Sequence, residues 1–277
     1  RAEIPFYRGQ RWAEPSAAHL AALMRRVHEN PKEAAAVGKR ARQDTVEHWT
    51  WGRAAQTVVE RLEAISRQWA VSGFQSAVGS GQSADDGRDP SAISDKPREA
   101  AIRWEGSQFV HHSLALVNRE LCLQLAKAGH ELSIIPYEPD QFGPEADPRF
   151  REIARRFNRP LSRAADVHIR HQWPPNFSPP AEGHWVMIQP WEFGSLPKRW
   201  IEEMSAKVDE VWVPSAFVRE CYIQSGLPAD RVHVVPNGID ISKFRPDAPP
   251  VKLKTGKRFK FLFVGGTIWR KGPDVLL

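Results

Sequence analysis

The chain has 277 residues, 41% hydrophobic and 26% charged, with a net charge of +6, the composition of a soluble globular protein of one large domain or two ordinary ones. No apolar run approaches the ~20 residues a membrane helix requires, and the opening "RAEIPFYRGQRW" carries no signal-peptide pattern, so the expected location is cytoplasmic. The basic residues are spread along the chain, which argues against a nucleic-acid partner, and the net positive charge suits phosphorylated donors or peripheral contact with an anionic inner membrane face.

In chain order, residues 1–70 read as three helices. Pro15-Ser16 starts the first, whose Leu20, Leu23, Met24 and Val27 recur at helical spacing. Asn30 caps the second, with Pro31 at its first position and an Ala-rich, mixed-charge body. "TWGRAAQTVVERLEAIS" is the third, with Ala55, Val58, Val59, Leu62 and Ile65 on one face. Three helices without strands make a poor domain, so they read as the closing helices of a unit whose strands precede Arg1. Residues 71–100, dense in Ser, Gly, Asp and Ala, read as a flexible linker.

Residues 101–257 alternate strands and helices. "AIRWEG", "HELSIIPYEP", "DVHIRHQWPP", "HWVMIQPW", "DEVWVPS" and "RVHVVPNG" are strands ending in Pro, Gly or Ser. "SLALVNRELCLQLAKAG", "LPKRWIEEMSAK" and "SAFVRECYIQSG" are helices, Ser215 capping the last. This alternation predicts an α/β fold with a doubly wound parallel sheet, whose right-handed crossovers bring the strand-end loops to one edge. Residues 258–277 then start a new strand, "FKFLFVGG", and a glycine turn into a helix. Cys122 and Cys221 lie far apart on apolar helical stretches and read as reduced core thiols.

The glycine turn suits a diphosphate. Gly265 and Gly266 let backbone N–H groups approach closely, Gly272 caps a helix with Pro273 at its first position, and Arg270 and Lys271 offer positive charge. The turn lacks the G-x-G-x-x-G spacing of a dehydrogenase.

"VDEVWVPSAFVRECYIQSGLPADRVHVVPNGIDISKFRPD" followed by "FLFVGGTIWRKGPDVLL" resembles the domain junction of retaining, nucleotide-sugar-dependent glycosyltransferases of the GT-B fold, family 4-like. Residues 1–70 resemble the last helices of such an enzyme's donor domain. The resemblance implies a Rossmann-like acceptor domain over 101–257, a truncated second Rossmann domain over 258–277, and a detached N-terminal helical segment from an upstream tandem unit. It implies transfer of a sugar from a nucleoside diphosphate donor to a hydroxyl of a glycan, lipid-linked or other acceptor, with retention and without metal. A piece of this extent would be inactive alone. A non-catalytic sugar- or nucleotide-binding Rossmann module is the competing expectation, because Gly266 stands where the family often carries arginine.

Carried onto this sequence, the resemblance makes Lys271 the phosphate-binding lysine, with Arg270 and Glu192 as further catalytic candidates. It places Glu105, Gly106 and Ser107 at the acceptor cleft, near the transferred sugar. His112 at a helix start, His171 at a strand end and Glu192 in "QPWEFGSLP" complete the acceptor-binding set, whereas His168 falls mid-strand as core. His111 is as readily a local packing residue. Relatives often carry a histidine near Gln189-Pro190-Trp191-Glu192. Trp173 and Trp191 could stack on sugar or pack, and Asn237-Gly238 reads as a tight turn after the last strand.

Overall fold

The β-branched and aromatic runs form six strands in a computed structural model, which describes residues 9–10, 13–79, 99–266 and 271–277. The strands are β1 (Ala101–Glu105), β2 (Glu131–Ile135), β3 (Val167–Arg170), β4 (His184–Ile188), β5 (Glu210–Val213) and β6 (Val232–Val234). All pairings are parallel, in the order β2-β1-β3-β4-β5-β6. Nearly continuous burial along the central strands β3, β4 and β5 is what a sheet covered on both faces requires.

Eight helices are described: α1 (Ala17–Glu29), α2 (Pro31–His48), α3 (Trp51–Gly79), α4 (Ser113–Lys127), α5 (Phe150–Ala154), α6 (Lys198–Lys207), α7 (Ala216–Gln224) and α8 (Pro273–Leu276). The side-chain period of two divides the core between them. Ile102, Trp104, Val186, Ile188 and Trp212 face α3 and α4, while Trp185, Met187, Val211 and Val213 face α6 and α7. Caps follow the sequence. Ser16 and Ser215 accept backbone N–H groups of His19 and Val218, and Gly129 ends α4 at a φ of +91°.

The N-terminal segment is not detached. Trp51, Ala54, Ala55, Val58, Leu62 and Ile65 of α3 join the sheet's core, with Leu62 and Ile65 almost fully buried. Arg61 of α3 pairs with the buried Glu210 of β5, whose carboxylate also accepts from Trp212 Nε1. Burial pushes the Glu210 carboxyl up, but hydrogen bonds from His184, Arg61 and Trp212 outweigh it and hold the group at about 2. By contrast α1 and α2 bury no residue.

Three further expectations meet a different structure. Helix α3 runs to Gly79, past the expected boundary at residue 70, while residues 80–98 of the expected linker lie outside the described residues. Phe261–Val264 forms no strand and leaves Leu262 and Val264 exposed; among the described residues no strand pairs with its backbone. Asn237-Gly238 is no tight turn. The backbone of the α2–α3 junction lies directly against Gly238, where a Cβ would stand 2.4 Å from Trp51 N. Thr50 bridges to Ile239, whose N–H donates to Trp49 O at 2.8 Å. Gly238 is required by that approach rather than by a turn.

Candidate functional site

Strand order reverses at β1, so the loops after β1 and β3 diverge and leave a crevice at the carboxyl edge of the sheet. A cleft of about 400 Å³ occupies it. Ser107 after β1, Glu138 after β2, His171 and Gln172 after β3, and Glu192 after β4 border it, with the start of α4 forming one wall.

The cleft holds a polar knot. His112 caps α4, its Nδ1 accepting the Ala115 N–H at 3.1 Å. That bond assigns the ring proton to Nε2, which donates to Glu138 Oε2 at 2.8 Å. Ser107 Oγ donates to the same oxygen. The Ser107 hydroxyl, with help from His112, holds the Glu138 carboxyl below the usual range despite some burial. Among the described residues both bonds fall on Oε2, leaving Oε1 for a ligand.

Behind this knot, the fully buried Asn118 of α4 fixes the strand-end loops. Its Oδ1 accepts from Trp104 Nε1 at 3.1 Å and from His171 Nδ1 at 2.8 Å, while its Nδ2 donates to Ser107 O at 2.9 Å. His171 therefore keeps Nε2 as an acceptor. Burial, reinforced by His112, drives its pKa down to about 3, so the ring is neutral at ordinary pH. Gly106 makes the packing possible, since a Cβ there would lie 2.5 Å from Asn118 Nδ2 and 2.6 Å from His171 O.

The structure thus brings Ser107, His112, His171 and Glu192 around one cleft, with Gly106 packed behind it. Glu105 is elsewhere. Strand alternation sends it to the sheet face opposite Trp104, where its carboxylate accepts from Arg170 Nε at 2.7 Å and meets His168 Nε2 at 3.0 Å. Burial raises the Glu105 carboxyl, yet those two partners bring it below its usual value, and His168 is buried as expected. Arg170 also donates to Asn176 O and Ser178 O and lies over the Trp185 ring, so Glu105 anchors the loop after β3.

Trp191 is core, packed on Phe193 and Trp200. Trp173 meets Trp200 edge-on and also borders the cleft. His111 is exposed and tilts against Phe142, while Asn237 reaches the cleft rim. Gly265, Gly266 and Lys271 are exposed on the C-terminal segment, and Arg270 lies outside the described residues. Sequence reasoning missed Glu138, Asn118 and Gln172. Only Asn118 left a signal, an amide directly after the apolar run Leu114–Val117 of α4.

Among the described residues no group of three or more His, Cys, Asp or Glu is placed to hold a metal ion, and no helix is long and apolar enough to cross a membrane. A family model described as Glycosyltransferase Family 4 matches residues 162–243, the stretch that carries β3 to β6. No curated protein matches the chain. Among solved structures it is similar to the crystal structure of Anabaena Alr3699/HepE in complex with UDP and glucose, at 11% identity and a TM-score of 0.28. That match covers 52% of this chain and 46% of the other, so the chain spans under half the length of the protein it matches.

Proposed function

We propose that this chain contributes the acceptor half of a retaining glycosyltransferase, moving a sugar from a nucleoside diphosphate donor to an acceptor hydroxyl without a metal. The observation that carries this reading is the cleft at the sheet's carboxyl edge, where Glu138, Ser107 and His112 form a fixed polar knot suited to hydroxyl groups. The match of residues 162–243 to a glycosyltransferase family model supports it.

In the reaction, the bond from the sugar's anomeric carbon to the diphosphate breaks with its electron pair. The acceptor oxygen bonds that carbon on the same face, and its proton passes to the departing phosphate oxygen. The protein's work is then orientation and charge stabilisation. The cleft aligns the acceptor, while Gly265, Gly266, Arg270 and Lys271 serve the diphosphate. The acceptor is a glycan, a lipid-linked sugar or another hydroxyl compound.

The test is a transfer assay on the longer parent with a panel of nucleotide sugars, reading product stereochemistry by NMR. An α-linked donor should give an α-linked product; inversion or no transfer refutes the reading. Lys271→Ala in the parent should lower turnover by about 100-fold, the scale of losing one charge-stabilising donor, and an unchanged rate removes Lys271 from the site. The 277-residue chain alone should bind donor weakly and turn over nothing. Donor binding by the parent without transfer would mark a non-catalytic module instead.

A further inference from the structure

Resting on the glycosyl-transfer reading, we propose that the acceptor taken by this cleft is a hydroxyl-rich, sugar-like molecule with no negative charge at the recognised end. Charge is the first reason. Among the described residues that border the cleft, none is Lys or Arg, whereas Glu138 is one wall and Glu192 stands on the exposed rim. His171 supplies no compensating cation, since burial keeps its ring neutral. The positive end of α4 opens here, where His112 accepts the Ala115 N–H and is itself bonded to the Glu138 carboxylate, which already places one negative charge at that end. A phosphate or carboxylate would therefore lie beside like charge with no counter-ion.

Hydrogen-bond valence is the second reason. Gln172 is 3% exposed, and neither its Oε1 nor its Nε2 has a partner among the described residues. A buried amide left so is costly unless a ligand or water meets it. It offers donors and an acceptor together, while Glu138 Oε1 and His171 Nε2 offer acceptors alone. Several hydroxyls satisfy all three, because each gives one hydrogen bond to an acceptor and takes others from donors. A phosphate dianion has no hydrogen to give, and could answer only the Gln172 amide hydrogens. The remaining wall is apolar, with Val117, Leu121, Ile188 and Val235 facing the same space, a surface that fits the C–H face of a pyranose.

The experiment is saturation-transfer NMR on the full chain. The probes are the methyl glycosides of glucose, galactose, mannose and N-acetylglucosamine, against the matching sugar 6-phosphates. At least one methyl glycoside should bind, at least tenfold tighter than its 6-phosphate. Gln172→Leu should weaken that binding at least fivefold and leave the melting temperature unchanged or higher, as expected for an amide without a partner in the free protein. Glu138→Gln, at a partly exposed site, should collapse the tenfold discrimination towards parity.

Equal or tighter binding of the phosphates, binding of no glycoside, or full affinity and selectivity in both variants overturns the proposal. The parent's transfer assay separates the two claims. Glycoside binding without transfer from any nucleotide sugar sinks the enzymatic reading and upholds the acceptor class. Transfer confined to phosphorylated acceptors does the reverse.

Discussion

Glu210 and Glu138 each gather a histidine and a second hydrogen-bond donor, yet they sit in opposite circumstances. Glu210 is 4% exposed, pairs with Arg61, accepts from the Trp212 indole, and has His184 and His233 within 3.6 Å. Among the described residues Glu138 has no guanidinium partner and receives only Ser107 and His112, and about 40% of its side chain is exposed. A carboxylate matched by a cation and closed from water ties elements together. One held by a hydroxyl and an imidazole at the edge of a cleft retains capacity for a guest. The partner set, rather than residue type, separates scaffold from site.

Four perturbations would break or sharpen that contrast. The largest effect is expected from Leu62→Ala on the buried face of α3, about 3–4 kcal/mol of stability by chemical denaturation. If the N-terminal helices were independent of the sheet, the unfolding transition of the sheet would not move. Glu210→Gln should cost on the order of 3 kcal/mol, because it leaves the Arg61 charge unmatched. The native pair also predicts a pH dependence. The folded Glu210 carboxyl is depressed to about 2, so its contribution is complete above its ordinary value of 4.5 and fades as pH falls from there to about 2. Glu210→Gln should flatten acid unfolding in that window, and an unaltered profile would deny Glu210 its role.

Gly106→Ala should cost roughly 2 kcal/mol through displacement of Asn118 and the loop after β3. Its diagnostic sign is a changed His171 ring resonance, which a remote defect would not produce. Glu138→Gln should be the mildest for folding, within about 1 kcal/mol, yet it should weaken acceptor binding measurably. A large loss of stability would move Glu138 to the same class as Glu210.

Much of this architecture was legible in advance. The six strand runs stand out because short β-branched and aromatic stretches end in Pro, Gly or Ser, and parallel connection then fixes where their loops gather. The family resemblance, added to that pattern, pointed to Ser107, His112 and His171, which border the cleft. It failed for Glu105 because strand parity decides the face, and Trp104 beside it claims the face packed against α3 and α4. Glu138 left no mark in "PYEPD", where no regular element frames it. The stripe on α3 was plain at helical spacing, but spacing tells that a face is buried and not against what. The stretch after it, dense in Ser, Gly, Asp and Ala, suggested separation, whereas the apolar residues of α3 had a sheet to cover.

The seating of Thr50 and Trp51 against Gly238 places the root of α3 one residue from Asn237 at the mouth of the cleft. A shortened version starting at residue 99 would therefore lose more than a lid on Trp104 and Trp212. It would bare a greasy flank prone to clumping with its own copies, and it would unmoor the stretch that follows β6, so that a failed ligand experiment on it would say nothing about the intact molecule.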